Sequence, residues 1–186
     1  YIGSSTFAAW QIMESLWASK ELGLNRFICE QPPYHLLDRR IERELVPMAQ
    51  TYGLALIPWS PMAGGFLTGK YQRHQKHPSD ARYTDTDQKS DLFSEAAYDL
   101  MDTVLAMAGE KECTPGQLAL AWCARQPGIT SPIVGVRTME QLEQNLGAVE
   151  VEITGQDRAR IDQVSLPGRV IAPYYQADFG PHSFRW

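Results

Sequence analysis

The chain has 186 residues, 44% hydrophobic and 21% charged, an ordinary globular composition that excludes disorder and low complexity. Seventeen Lys and Arg against 22 Asp and Glu leave a formal charge of -5, which argues against a broad phosphate-binding surface for DNA or RNA; any bound phosphate must be gripped locally. At about 100–200 residues per domain the length allows one domain, and hardly two.

The first residues, Tyr1-Ile2-Gly3-Ser4-Ser5-Thr6, have no initiator Met and read as the end of a strand running into a helix cap, so the chain is expected to be a piece of a larger fold. Residues 7 to 22 carry Met13, Leu16 and Trp17 at helical spacing, widened by Trp10 and Ile12, with Gly23 as a stop. Residues 26–31 suit a short strand closed by Pro32-Pro33. The next helix runs to Tyr52, with Ile41, Leu45, Met48, Ala49 and Tyr52 on one face; Pro47 belongs in its first turn, after a shorter turn.

Residues 54–59 form an apolar run of the buried parallel-strand kind. Residues 72–92 are polar and aperiodic and read as a mobile surface loop. A helix follows over about 94–109, and Thr114-Pro115-Gly116-Gln117 opens another with a capping box. Pro132-Ile133-Val134-Gly135-Val136 reads as a short strand. Thr138-Met139-Glu140-Gln141 and Thr154-Gly155-Gln156-Asp157 start two more helices, the second burying Ile161 and Val164. About four strands alternating with helices imply a parallel sheet with right-handed crossovers, and ligands bind such sheets at the strands' C-terminal ends.

Cys29, Cys113 and Cys123 cannot all pair and lack zinc-site spacing; His35, His74, His77 and His182 are scattered, so no metal site is expected. No stretch approaches about 18 apolar residues and no basic-then-apolar leader occurs, which points to a reduced, cytoplasmic protein. Gly64-Gly65-Phe66-Leu67-Thr68-Gly69-Lys70-Tyr71 matches a P-loop until Tyr71 replaces the magnesium-binding Ser/Thr. The glycines and the lysine can still grip a diphosphate without metal, or form no more than a turn with a solvated lysine. Gln141 reads equally as a ligand contact or as the capping partner of Thr138.

Taken together, these motifs resemble the C-terminal half of an aldo/keto reductase over residues 1 to about 165. Gly3-Ser4-Ser5-Thr6-Phe7 resembles G-x-S-N-F, and Gln31-Pro32-Pro33-Tyr34 resembles Q-x-x-Y. The run from Trp59 to Tyr71 resembles W-S-P-L-x-x-G-x-L-T-G-K-Y, and Thr114 to Trp122 and Gly135 to Asn145 follow in order. The resemblance implies a single domain over 1–186, a core to 165 and a tail over 166–186, supplying about half of a (β/α)8 TIM barrel that binds NADP(H).

By that resemblance Ser5, Thr6 and Gln31 hold the nicotinamide carboxamide and Trp59 stacks on its ring. Ser60, Pro61, Met62, Ala63, Gly64 and Lys70 line the pyrophosphate, with Arg82 closing from the loop. Gly135 and Arg137 meet the adenosine 2′-phosphate, and Gln141, Gln144 and Asn145 the adenine side. Two positions depart from the pattern: Thr6 stands for Asn and Gln144 for Glu. The family's catalytic Asp, Tyr, Lys and His have no counterpart here, and Tyr34, Tyr52 and Tyr71 do not stand in for that tyrosine.

The implied activity of the intact protein is hydride transfer between NADP(H) and an aldehyde or ketone, with this piece alone inactive. Two other readings stand beside it. One is a nicotinamide-linked sensor with little turnover, resembling the family's channel-associated members. The other is a half-barrel that folds only against a partner chain. The aromatic tail (Tyr174, Tyr175, Phe179) either lines a substrate pocket or packs the barrel's edge.

Overall fold

The computed structural model describes residues 1–79, 81–84 and 91–173. Three parallel strands, β1 (Ile2–Ser5), β2 (Phe27–Gln31) and β3 (Ala55–Leu56), form a sheet in sequence order. Helices α1 (Ala9–Leu22) and α2 (Leu45–Tyr52) make the crossovers. After β3 come α3 (Glu95–Glu110), α4 (Pro115–Ala124), α5 (Met139–Leu146) and α6 (Gly155–Val164). The architecture is mixed α/β. Among the described residues no helix is long and apolar enough to cross a membrane.

Local chemistry sets most boundaries. Gly23 and Gly53 end α1 and α2 in the left-handed conformation that a β-carbon disfavours. Thr114 and Gln117 close a reciprocal capping box at α4, and Thr154 and Asp157 do the same at α6. Pro47 is the third residue of α2, where its missing N–H costs no helical bond, and a separate turn at Arg40–Glu42 precedes it.

Two apolar clusters hold these elements. Ile12 of α1, Leu45, Val46 and Ala49 of α2, and Leu56 of β3 form the first. The second, larger cluster joins Leu36, Leu37, Phe66, Met101, Val104, Leu118, Trp122 and Ile161, where α3 packs on α4 and α6. Trp122 is 1% exposed and meets Tyr34 at 5.3 Å between ring centroids.

Four expectations change. Residues 132–136 do not form a strand: Thr130 and Ile133 donate backbone bonds to the carbonyls of Leu56 and Pro58, but Pro132 has no N–H, so no continuous ladder forms. The stripe expected on α1 is split, because Ile12 is buried while Trp10 and Trp17 are exposed. Tyr52 likewise lies outside the core. The described part of the 72–92 segment is anchored: Tyr83 and Leu92 are buried, and Arg73 pairs with Glu95, Asp99 and Asp102 of α3. The tail residues Tyr174, Tyr175 and Phe179 lie outside the described residues.

Candidate functional site

The C-terminal ends of the strands bring together residues far apart in sequence. Ser5 and Gln31 are register partners across β1 and β2, and the Ser5 hydroxyl donates to the Gln31 carbonyl at 2.9 Å. The Thr6 amide donates to the same carbonyl at 3.2 Å, and Thr6 itself sits at φ 60°, a conformation rare for a β-branched residue. The Gln31 carboxamide makes no hydrogen bond among the described residues and is half-buried. Beyond β3 the pairing continues: Trp59 bridges Pro33, with its amide donating to the Pro32 carbonyl at 2.9 Å. Ser5, Thr6, Gln31 and Trp59 thus gather at one end of the sheet. That end can take a flat polar ring whose amide needs both donors and acceptors.

After Trp59 the chain turns through five positive-φ residues, Ser60, Ala63, Gly64, Gly65 and Gly69. Bonds from the amides of Ala63 to Ser60 O and Gly65 to Met62 O hold the turn, and buried Phe66 and Leu67 anchor it. Ala63, Gly64 and Gly65 are left-handed in succession, and Gly65, without a β-carbon, leaves room for the Lys70 ammonium, a charge suited to an anion. Pro61 and Ala63 are buried; Pro61 has no N–H and the Ala63 amide is committed to the Ser60 carbonyl, so neither offers a donor to an anion. Gly65 lies against the Lys70 side chain, which also reaches over the Tyr71 ring at 5.4 Å. Lys70 and Arg82 are exposed.

The remaining expected residues lie on a second element. Gly135 and Arg137 are exposed just before α5, and Arg137 has no ion-pair partner among the described residues. Thr138 caps α5 by accepting from the Gln141 amide at 3.3 Å. The Gln141 side chain does not close a box with Thr138; its Oε1 accepts from the Arg137 amide at 2.8 Å and so fixes the backbone that presents Arg137. Helix α4 lies between the glycine turn and α5. Its Gly116 faces Met62 and Thr68, and its Gln117 donates to the Gln144 carbonyl at 2.8 Å. The Gln144 side chain is exposed and Asn145 half-buried.

A buried polar network ties the loop after β2 to α6 and the residues after it. Tyr34 Oη donates to Glu42 Oε1 at 2.5 Å, and the same oxygen accepts from Arg39 Nε at 2.8 Å. Arg39 also pairs with Asp162, donates to the Ser165 carbonyl and stacks over Trp122. Burial, with Glu42 beside it, holds the Tyr34 phenol far above its usual range, so it serves as a fixed donor rather than an acid. His35 is fully buried and accepts from the Leu37 amide through Nδ1 at 3.2 Å. Among the described residues no group of His, Cys, Asp and Glu could hold a metal ion.

Among the buried charged groups that the sequence did not single out, Glu30 stands nearest the strand ends. Glu30 is 0% exposed; its Oε1 accepts from the Phe7 amide at 3.0 Å, and its Oε2 has no hydrogen-bond partner among the described residues. Burial raises its carboxyl above the ordinary range, against the pull of the Ser4 hydroxyl and of the Phe7 amide. The available signal was a lone acid inside an otherwise apolar strand.

A family model described as the aldo/keto reductase family matches residues 1–166. An uncharacterized oxidoreductase of Bacillus subtilis (strain 168), YrpG, is 37% identical over 153 residues, covering 82% of this chain and 45% of that protein. Probable voltage-gated potassium channel beta subunits of Arabidopsis thaliana and Oryza sativa subsp. japonica are each 37% identical over 155 residues, covering 81% of this chain and 47% of those proteins. The chain therefore spans about half the length of the curated relatives it matches.

Proposed function

The chain belongs to the aldo/keto reductase family, and from that premise we propose that it is the NADP(H)-gripping part of an oxidoreductase that moves a hydride between the cofactor and an aldehyde or ketone. The observation that carries this reading is the joint placement of Ser5, Thr6, Gln31 and Trp59 at the strand ends, followed directly by the turn that sets Lys70 against Gly65.

The residues suit the group. Gln31 offers a carboxamide with no hydrogen-bond partner among the described residues, and Ser5, whose proton is committed to Gln31 O, offers its oxygen as an acceptor for the cofactor's amide N–H. Trp59 covers one face of the nicotinamide, leaving the other to the substrate. Ser60, Pro61, Met62, Ala63 and Gly64 line the pyrophosphate, the Lys70 ammonium holds it, and Arg82 closes over it. Gly135 and Arg137 take the 2′-phosphate, and Gln141, Gln144 and Asn145 border the adenine. When bound, the cofactor supplies the hydride; the proton for the carbonyl comes from groups outside this chain.

The exposed Ile2 of β1 and Ile133, Val134 and Val136 beyond β3 mark two open flanks. In this reading the rest of a barrel, from the same protein or a partner chain, covers both flanks and brings the catalytic residues. Three free cysteines suit a cytoplasmic setting.

The test is fluorescence titration of the chain with NADPH and NADH. NADPH is expected to bind at least about tenfold more tightly, because the extra phosphate gains charge-assisted partners. Absence of binding to either sinks the proposal. A second reading, a nicotinamide-binding sensor with little turnover, is favoured by the equal identity to the two channel beta subunits. Fast turnover of many aldehydes by the intact protein decides against it.

A further inference from the structure

Glu30 is a carboxyl buried on a core strand, included in none of the ion pairs among the described residues, and such burial is costly unless the group is used. Its Oε1 accepts from the amide of Phe7, the residue after Thr6, and the Ser4 hydroxyl also acts on the carboxyl. That short turn carries the Ser5 hydroxyl, holds Thr6 at φ 60° and starts α1 at Ala8, whose side chain cannot cap a helix. Each of its amides is taken by a specific acceptor: Thr6 N by Gln31 O, Phe7 N by Glu30 Oε1, and Ala8 N by Gln11 Oε1 at 2.8 Å. Two of these three acceptors come from the end of β2. Neighbouring residues of a strand face opposite sides, so Gln31 can turn to the ligand side while Glu30 braces the turn from behind.

We propose that Glu30 is a positioning residue for the nicotinamide end of the cofactor: through the Phe7 amide it holds Ser5 and Thr6 where they, with Gln31, grip the carboxamide. The inference rests on the NADP(H) reading above. It separates Glu30 from a merely structural acid, because the brace acts on the nicotinamide end and leaves the adenosine 2′-phosphate end, carried on α5, untouched.

The test titrates the 186-residue chain with NADPH and with adenosine 2′,5′-bisphosphate, which lacks the nicotinamide. Glu30→Leu, which removes the acceptor, is expected to weaken NADPH about tenfold and the bisphosphate by less than about twofold. Glu30→Gln retains an oxygen within reach of the Phe7 amide and is expected to stay within about twofold of the parent for both ligands. Glu30→Asp, which keeps the charge but withdraws the oxygen by one methylene, is expected to follow Glu30→Leu and covers the case in which the leucine variant does not fold. Hydrogen exchange of the Phe7 amide is expected to speed up in Glu30→Leu and Glu30→Asp while α4 stays protected. Equal loss of both ligands, unchanged NADPH affinity, or unchanged Phe7 exchange overturns the inference. A parent chain that binds the bisphosphate or nothing, and never NADPH, overturns the dinucleotide reading instead, and Phe7 exchange then still reads the brace.

Discussion

Lys70 lies back across Gly65: a β-carbon built on that glycine stands 3.0 Å from Lys70 Cε and 3.1 Å from Nζ. The glycine therefore does two things, adopting φ 97° and leaving room for the ammonium to approach the backbone of the turn. Charge and turn are one unit, built from residues five apart.

Gly65→Ala is expected to lose about 1–3 kcal/mol of stability through the left-handed backbone and to weaken NADPH binding by displacing Lys70. Lys70→Met is expected to weaken NADPH about tenfold with stability changed by no more than about 0.5 kcal/mol. Urea unfolding and fluorescence titration separate the two. An alanine variant matching the parent in both measurements contradicts the packing.

Thr6 carries a β-branched side chain at φ 60°, where asparagine is tolerated far better. The family pattern has Asn there. Thr6→Asn is expected to raise stability by up to about 1 kcal/mol, seen as a higher urea midpoint at an unchanged slope. A lower midpoint shows that the Thr6 hydroxyl, 3.3 Å from that of Ser5, contributes more than the backbone relief.

Local signals in the sequence were strong enough to place helices: Thr114, Thr138 and Thr154 all accept bonds at the helix starts expected of them. The meeting of Ser5 with Gln31 was also legible, because parallel strands joined by a helix align their ends. What escaped was set by tertiary surroundings. Trp17 fits a helical stripe yet lies outside the core, since the stripe's period does not say which of two apolar faces has a neighbour. Residues 132–136 have strand composition, but a strand needs a continuous ladder, and here it lapses after the amides of Thr130 and Ile133 because Pro132 has no N–H to give. Glu30 and Arg39 are charged and buried, which composition alone assigns to the surface.

Arg39, 3% exposed, satisfies Glu42, Asp162 and the Ser165 carbonyl together and so ties the loop after β2 to the residues after α6. Arg39→Met is expected to cost about 3 kcal/mol, most of it from leaving Glu42 without its cation. Arg39→Lys is not expected to rescue, because one ammonium cannot replace the planar fork. Arg39→Met with Glu42→Gln is expected to recover part of the loss in a double-mutant cycle. Additive single effects contradict a shared network.

The fully buried His35 gives the fold an acid-side limit. Burial lowers its pKa from 6.5 to about 4, while Asp38 pulls upward and Arg40 downward. Its Nδ1 accepts from the Leu37 amide, so the folded form holds the neutral ring, and protonating that nitrogen removes the bond. The unfolded chain binds the proton more readily than the folded one. Stability from this residue is therefore present above about pH 6.5 and is lost as pH falls toward about 4. The shift corresponds to about 3 kcal/mol across that window. Urea unfolding at several pH values between these limits is expected to show stability falling with acid in the parent chain. His35→Gln, which cannot titrate, is expected to start lower at neutral pH and to show a shallower fall. A parallel slope in the two proteins assigns the acid sensitivity to other groups.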